Sequence, residues 1–496
     1  MCIFKTILSL LLIGVFTTTS VAQDLLSSNL TYGKYQVGFK AVQTLDHTRP
    51  SLTSQSSAGR AMQLYIWYPA EKVSTQPMRY KDYLVHRFGN ASRSTFFTNI
   101  SELGADTTLF TPVFPTLINS TTRAYHAAPL AKGVFPLIIY PDQIHLQNVL
   151  CEYLASQGFI VASPVIKGTF SEPMQYNPAG IETGVADLQF ALGHLRNNYA
   201  VKRDFAVMGI GFNATLALAL QMRNPDAKAL VSLEGGITTG FEEGLIQRSP
   251  YYDLERCNAS MLVIHAPHPD VKPEIVDKYK YAERIFQHYP QSAEFYFLNF
   301  GIWERSLNNI LPKANRGNTW QSFEYAAESI QHYLKWKLDQ DATAKVALLD
   351  ESWPNDIVET SIKTAAALPP SNETLLELLK TTGFEALVSL YVERKKNDPQ
   401  PFSFGSFYQI AQQLIGQSAY AQLLDWSKFY AEAYSNSAIP YTLQGRANLE
   451  LGNKTEARAL YEKALALLEN DADLNAGEKS FFKTAIENRI ESLNKL

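Results

Sequence analysis

The residues Phe205-Ala-Val-Met-Gly209-Ile-Gly211-Phe-Asn213-Ala-Thr215 are the most informative segment of this 496-residue chain. An apolar run enters a glycine-containing turn there, and a helical pattern, Ala214–Met222, begins at once. A strand that turns directly into a helix is the setting of the motif G-x-S-x-G, whose serine is a catalytic nucleophile. Here glycine stands at the serine position, Gly211, and asparagine stands at the last position, Asn213. We expect Gly211 to adopt a positive φ without strain and Asn213 to be the N-cap of the helix.

Short apolar runs alternate with longer helical patterns on both sides of this turn, from Tyr35 to about Tyr333. This alternation is typical of a mostly parallel sheet that is covered by helices on both faces. The candidate strands are Gln63–Tyr68, Phe135–Tyr140, Phe159–Ser163, Phe205–Gly209, Ala229–Leu233, Met261–His265 and Phe295–Asn299. The candidate helices are Leu146–Ser156, Gly184–Arg196, Ala214–Met222 and Ser322–Lys337. The sequence therefore predicts an α/β fold with a doubly wound sheet.

A second domain is predicted beyond a charged, proline-containing passage, because only helical patterns follow it. We assign residues 341–370 to a linker and residues 371–496 to an all-α domain. The large and small positions of a tetratricopeptide repeat are occupied by Tyr441, Gly445, Ala457, Tyr461 and Ala464. A degenerate copy lies one repeat length earlier. Such helices either bind a protein or peptide partner or act as a buttress for the first domain.

The N-terminal residues 1–22 have the pattern of a secretory signal peptide. Lys5 precedes the apolar run Ile7–Phe16, and the small residues Ser20-Val21-Ala22 resemble a cleavage site. The run is shorter than the roughly 20 apolar residues that span a bilayer, and no later segment is long enough. We therefore expect an exported protein, periplasmic or extracellular, without a transmembrane segment.

Composition and charge exclude several classes of function. The chain is 46% hydrophobic and 19% charged, which is typical of a globular protein. Its formal net charge of -4 provides no basic field for a nucleic-acid backbone. No phosphate loop, dinucleotide fingerprint or zinc spacing occurs, so we expect no cofactor and no metal. Outside the signal peptide the cysteines are Cys151 and Cys257, which either pair or remain separate buried thiols.

Several segments resemble α/β-hydrolases of the platelet-activating-factor acetylhydrolase and dienelactone hydrolase group. Tyr35-Gln-Val-Gly38-Phe39 and Leu64-Tyr-Ile-Trp67-Tyr-Pro-Ala70 are similar to the VGF and WYPA strands of that group. Phe135-Pro-Leu-Ile-Ile-Tyr140 and the run Leu154–Ala162 continue the similarity. The resemblance implies an α/β-hydrolase fold for residues 23–340.

The resemblance also implies a catalytic triad, and the chain departs from it at the nucleophile. A serine would stand at Gly211, where glycine has no hydroxyl. The triad acid would be Glu234, where the acetylhydrolase branch is expected to have aspartate. Asp270 is the alternative acid in the arrangement of dienelactone hydrolases.

The base and the oxyanion site depart from the family pattern as well. The histidine would follow the last strand, near Phe300, and no histidine stands there. His265 and His268 lie one strand earlier, in the wrong loop for this role. Relatives carry a His-Gly pair in the oxyanion loop, where this chain has Asp142 and Gln143. A carboxylate at that place would oppose an oxyanion instead of stabilising it.

The leading hypothesis is a pseudo-hydrolase that binds a ligand or a protein. Without serine and histidine, no acyl intermediate can form by the triad route. A small acyl or aromatic ligand would suit a cleft enlarged by the missing serine side chain. The candidate pocket residues are Asp142, Gln143, Ile210, Gly211, Phe212 and Glu234.

The alternative hypothesis is an active carboxylic ester or acyl hydrolase with a displaced nucleophile. Ser163 and Ser232, at the ends of neighbouring strands, are the candidate nucleophiles. Either one needs a base within hydrogen-bond distance, and the candidates for that base are His265 and His145.

Overall fold

The computed structural model describes residues 25–50, 59–141, 144–312, 319–350, 353–354 and 356–494. The predicted signal peptide, residues 1–22, and the predicted oxyanion-loop residues Asp142 and Gln143 lie outside this part of the chain. The chain divides into two compact units, with the division between Ala365 and Ala366.

Ten strands form a single sheet within the described residues. In chain order they are β1 (Gln36–Asp46), β2 (Arg60–Ala70), β3 (Ala124–His126), β4 (Phe135–Ile139), β5 (Ile160–Pro164), β6 (Val201–Ile210), β7 (Ala227–Leu233), β8 (Ser260–His265), β9 (Arg284–His288) and β10 (Glu359–Lys363). Their order across the sheet is β10-β9-β8-β7-β6-β4-β5-β2-β1-β3. Neighbours from β9 to β5 pair in parallel. β2 pairs antiparallel with β5 and β1, and β10 pairs antiparallel with β9.

The sheet is buried on both faces in its parallel part, as strands with continuous apolar runs require. Every residue of β4 and β5 is buried. Because successive side chains of a strand point to opposite faces, the sheet separates two hydrophobic cores. Leu137 lies in one core and its neighbour Ile138 in the other.

Helices cover both faces of this sheet. In chain order the helices of the first unit are α1 (Tyr80–Phe88), α2 (Ser92–Glu102), α3 (Thr107–Asn119), α4 (Ile144–Ser156), α5 (Pro178–Asn198), α6 (Phe212–Arg223), α7 (Gly240–Ile246), α8 (Asn299–Leu307), α9 (Thr319–Asp339) and α10 (Ala342–Leu348). The core of Ile138 contains residues of α1 to α4, α8 and α9, and the core of Leu137 contains residues of α5 and α6. The sequence did not predict α1 to α3, which lie between β2 and β3.

One predicted strand is wrong. Phe295–Asn299 forms a loop and the first residue of α8, and the strand of this region is β9, Arg284–His288. Periodicity cannot separate a short buried strand from a buried helix start when the apolar run is this short. β9 contains polar residues whose partners are distant in sequence, such as Arg284, which donates to the carbonyl of Thr364 at 3.4 Å. Its strand pattern is therefore weak in the sequence.

The second unit consists of helices α11 (Asn372–Thr381), α12 (Phe384–Lys395), α13 (Phe404–Gly416), α14 (Tyr420–Ala433), α15 (Ala438–Glu450), α16 (Lys454–Leu468) and α17 (Ala476–Asn494). They enclose hydrophobic clusters of their own. A Cβ atom on Gly445 of α15 would lie 2.9 Å from the ring of Tyr461 on α16. The two helices thus approach closely where the sequence predicts it, and the tetratricopeptide assignment itself stays a prediction.

The passage 341–370 differs from the linker that the sequence suggested. It contains α10 and β10, and β10 extends the sheet of the first unit by pairing with β9. All five residues of β10 are exposed. An edge strand without buried side chains has no apolar pattern, so the sequence did not reveal it.

Cys151 and Cys257 are both buried, and they do not form a disulfide with each other. They lie in the two different cores, so the sheet separates them, and they are independent thiols. No helix in the described part of the chain is both long and apolar enough to cross a membrane.

Candidate functional site

The turn between β6 and α6 has the geometry of a nucleophile elbow. Gly211 has φ 51° and ψ -132°, a positive-φ conformation that glycine adopts without the steric cost of a side chain. Its backbone N–H donates to the carbonyls of Leu233 at 3.0 Å and Glu234 at 2.7 Å. Helix α6 begins at Phe212 with Gly211 as its N-cap, so the expectation that Asn213 caps this helix is wrong. A Cβ atom on Gly211 would meet no described atom within 4 Å. Position 211 therefore opens into free space.

Glu234, the expected triad acid, lies directly after β7 beside this turn. It is 2% exposed and has φ 42°, and its carboxylate accepts a hydrogen bond from the backbone N–H of Ala266. Burial raises the pKa of Glu234 well above its usual value, and the charge of Glu294 raises it further. This shift favours the protonated form of the Glu234 carboxyl group relative to a glutamate in water. The alternative acid, Asp270, is exposed in the loop after β8.

The loop after the last parallel strand differs from the sequence expectation. The expected base position near Phe300 is wrong, because Phe300 is fully buried in α8 with its ring 5.4 Å from that of Trp303. The last parallel strand is β9, and the loop that follows it brings Glu294 and Phe295 to the cleft beside Gly211. Sequence patterns did not reveal Glu294, because the predicted strand Phe295–Asn299 lies later in the chain than β9.

The two candidate serines are buried within strands. Ser163 on β5 is fully buried, and its hydroxyl accepts a hydrogen bond from the side chain of Gln147 at 3.0 Å. Ser232 on β7 is 1% exposed, and its hydroxyl has no hydrogen-bond partner among the described residues.

The candidate histidine bases have other neighbours. His265 stacks on His288 with the ring centres 4.9 Å apart, and burial together with His288 lowers the pKa of His265 to about 4. The Nε2 atom of His145 lies 3.0 Å from the side-chain oxygen of Asn99. Burial lowers the pKa of His145 well below its usual value. Neither environment favours a base that exchanges protons with an exposed nucleophile.

A cleft with two lobes surrounds the elbow, and we call it the elbow cleft. Each lobe has a volume of about 430 Å³, and both are lined by Gly211, Glu242 and Glu294. The first lobe is also lined by Arg87, Pro141, Met174, Tyr176, Ile210, Phe212 and Phe295. The second is also lined by Glu234, Gly235, Phe241, His268, Asp270 and Lys272. Of the predicted pocket residues, Ile210, Gly211, Phe212 and Glu234 thus line one cleft, and Asp142 and Gln143 lie outside the described chain.

Carboxylates define the electrostatics of this cleft. Glu242 on α7 and Glu294 in the loop after β9 are both partly buried. Burial raises the pKa of Glu242, and the charges of Asp270 and Glu294 add to that increase. Burial also raises the pKa of Glu294, while His268 partly offsets the effect. In the part of the chain that the structure describes, no three histidine, cysteine or acidic side chains converge on a point that could hold a metal ion.

Comparison with known proteins identifies the fold. No protein-family model matches the chain, and no curated protein matches it. One similar solved structure is a ferulic acid esterase from Streptomyces cinnamoneus. It matches with a TM-score of 0.50 and 16% sequence identity over 67% of this chain and 97% of that chain. The similarity shows that the first unit has an α/β-hydrolase fold.

Proposed function

We propose that this protein binds a small organic ligand in the elbow cleft and does not hydrolyse esters through a serine triad. The observation that carries the proposal is Gly211, which occupies the nucleophile position in an intact strand-turn-helix with positive φ. The turn persists without an oxygen that could attack a carbonyl carbon. A retained scaffold with an open cleft is what a binding function requires.

The surroundings of Gly211 support the same proposal. Glu294 occupies the loop in which a histidine base is expected, and a histidine is the group that takes the proton in a serine triad. Glu234 is bonded to the backbone of Ala266. Its raised pKa favours the neutral acid, which stabilises an imidazolium less well than a carboxylate does.

The cleft itself supports a ligand with an aromatic or acyl portion. Its first lobe combines apolar side chains such as Met174 and Ile210 with the rings of Tyr176, Phe212 and Phe295. Apolar and aromatic side chains beside a few convergent polar groups are typical of small-molecule sites.

Ester turnover and active-site labelling test this proposal. We expect the purified protein to hydrolyse 4-nitrophenyl acetate and butyrate no faster than buffer, and to resist labelling by a fluorophosphonate. Mass spectrometry of the denatured protein should then be used to seek a co-purified small molecule. Labelling that maps to Ser163 or Ser232 would support the displaced-nucleophile alternative and overturn the proposal.

Export and partner binding stay predictions. Export rests on residues 1–22, and sequencing of the mature N-terminus, expected at Gln23, checks it. Binding of a protein or peptide by the helical unit rests on the repeat pattern of α15 and α16.

A further inference from the structure

Four acidic residues line the elbow cleft. Glu242 and Glu294 line both lobes, and Glu234 and Asp270 line the second lobe. They come from three separate segments that follow β7, β8 and β9. The charge of Glu294 raises the pKa values of Glu234 and Glu242, so these carboxyl groups lie close enough to repel one another when ionised. A bound positive charge would relieve this repulsion.

The basic residues of the cleft leave an excess of acid. His268 is paired with Asp270, with its Nδ1 atom 4.0 Å from a carboxylate oxygen, and Lys272 is exposed. In the first lobe, the guanidinium of Arg87 lies 5.9 Å from the ring centre of Phe88. Besides the pair of His268 and Asp270, the cleft is thus lined by two basic residues, Arg87 and Lys272, and by three glutamates.

The carboxyl group of Glu234 offers an unused acceptor to the cleft. The residue is 2% exposed, and one of its oxygens accepts from the backbone N–H of Ala266. Among the described residues, no hydrogen bond to the other oxygen is found, although the side chain lines the second lobe. This oxygen is not among the buried side-chain atoms that lack a partner, so it can accept a hydrogen bond from water or from a ligand in the second lobe.

Aromatic rings stand next to these acids. Tyr176 and Phe212 meet edge to face with their ring centres 4.9 Å apart in the first lobe, and Tyr176 is 62% exposed. Phe241 in the second lobe is also 62% exposed. Exposed rings beside carboxylates favour a ligand that combines a cation with an aromatic group, because ring faces attract positive charge and ring edges pack against other rings.

An organic cation suits this cleft better than a metal ion. Among the described residues, the acidic side chains do not converge in a group of three that could coordinate a metal. The lobes are large and partly apolar, with Met174 and Ile210 in the first. Both properties match a molecule of several carbon atoms.

We propose that the ligand of the elbow cleft carries a protonated amine and an aryl ring, with the amine facing Glu242 and Glu294 and the ring against Tyr176 and Phe212. This inference rests on the proposed function, since it specifies the chemical class of the ligand for the same cleft.

Calorimetric titration of the full-length protein with three matched probes tests the inference. The probes are 2-phenylethylamine, which is cationic at neutral pH, 2-phenylethanol, which is neutral, and 3-phenylpropionate, which is anionic. We expect the amine to bind about tenfold more tightly than the alcohol and to release protons, because a cation favours ionised glutamates. Added salt should weaken binding of the amine and leave the alcohol unaffected.

Single substitutions test which carboxylates of the cleft attract the amine. Glu294→Gln and Glu242→Gln should each weaken amine binding about tenfold without changing the affinity for the alcohol. Glu71→Gln removes an exposed carboxylate outside the cleft and should leave amine binding unchanged. Glu294→Lys should reverse the preference in favour of 3-phenylpropionate, an outcome that a purely structural role of Glu294 would not produce.

The outcomes separate the two proposals. Equal affinity for all three probes, or amine binding that survives both glutamine substitutions, overturns the amine assignment and leaves a ligand-binding cleft in place. If none of the probes binds, the amine assignment fails as well. The proposed function is judged separately, by the absence of ester turnover and fluorophosphonate labelling.

Discussion

Position 211 has room for a side chain, although its backbone conformation is unfavourable for one. A Cβ atom there would meet no described atom within 4 Å, whereas φ is 51°. Glycine adopts this conformation without the strain that a side chain would bring, and it has no side-chain oxygen.

The substitution Gly211→Ser should place a hydroxyl group at the turn but should not produce ester hydrolysis. We expect a folded protein that is destabilised by about 1–2 kcal/mol, because serine must adopt a positive φ. Fluorophosphonate labelling should stay at background, because Glu294 cannot replace an imidazole as the base. The double variant Gly211→Ser/Glu294→His should label faster than the single variant. Equal rates would mean that a base exists elsewhere or that residue 294 does not reach the elbow.

Glu234 makes stability depend on pH in a direction set by its raised pKa. The pKa of Glu234 in the folded protein exceeds its ordinary value of 4.5. The contribution of Glu234 to the free energy of unfolding is therefore complete below pH 4.5 and is lost as the pH rises through the pKa of the folded state. Glu234→Gln cannot ionise, so its melting temperature relative to wild type should increase as the pH rises from 4.5 through the range in which Glu234 ionises. Thermal unfolding across this range checks the prediction, with Glu71→Gln as the exposed control. A difference that stays constant with pH would contradict it.

Helices α15 and α16 pack closely at Gly445. The distance of 2.9 Å between a Cβ atom on Gly445 and the ring of Tyr461 leaves no space for a methyl group between α15 and α16. A Cβ atom on Gly416, at the end of α13, would meet no described atom within 4 Å. The two glycines form a matched pair of helical sites.

Gly445→Ala should destabilise the helical unit by about 1–3 kcal/mol, because overpacking forces the two helices apart. Gly416→Ala should be neutral or stabilising by up to about 1 kcal/mol, because alanine is the better helix former. Urea unfolding of both variants, followed by circular dichroism, provides the comparison. Equal effects would show that the contact with Tyr461 relaxes without cost.

A buried ion pair joins β2 to α5 and holds the loop that leads to the cleft. Arg60 donates to Asp187 at 2.8 Å and to the carbonyls of Gly168 at 2.9 Å and Lys167 at 3.0 Å. Arg60→Met should cost about 3–5 kcal/mol of unfolding free energy, since it leaves a buried carboxylate and two carbonyls without this partner. Urea titration measures the loss. A loss below about 1 kcal/mol would show that Arg49, at 2.7 Å from Asp187, compensates.

The two units have separate hydrophobic clusters on either side of the division between Ala365 and Ala366. A unit with its own core is expected to fold by itself. We therefore expect a fragment of residues 366–496 to show helical circular dichroism and a cooperative melting transition. A fragment that stays unfolded would mean that the helices depend on the first unit.

At the scale of the whole molecule, sequence patterns predicted most strands of the sheet and the all-helical second unit. No candidate strand covered β1, β3, β9 or β10. Arg284 and Gln287 of β9 find hydrogen-bond partners far away in the chain, and β10 is an exposed edge strand. Sequence patterns also failed for α1 to α3, although Asp106 caps the start of α3.

The sequence by itself determined the elbow and the absence of a side-chain oxygen at Gly211, because a strand, a turn and a helix that follow one another depend on residues adjacent in the chain. Only the tertiary structure decided which side chains surround that turn. Glu242 and Glu294 reach Gly211 because β6, β7, β8 and β9 lie side by side in parallel, so that the loops at their carboxyl ends meet at one edge. The order of strands in a sheet is a non-local property, and no local pattern in the sequence contains it.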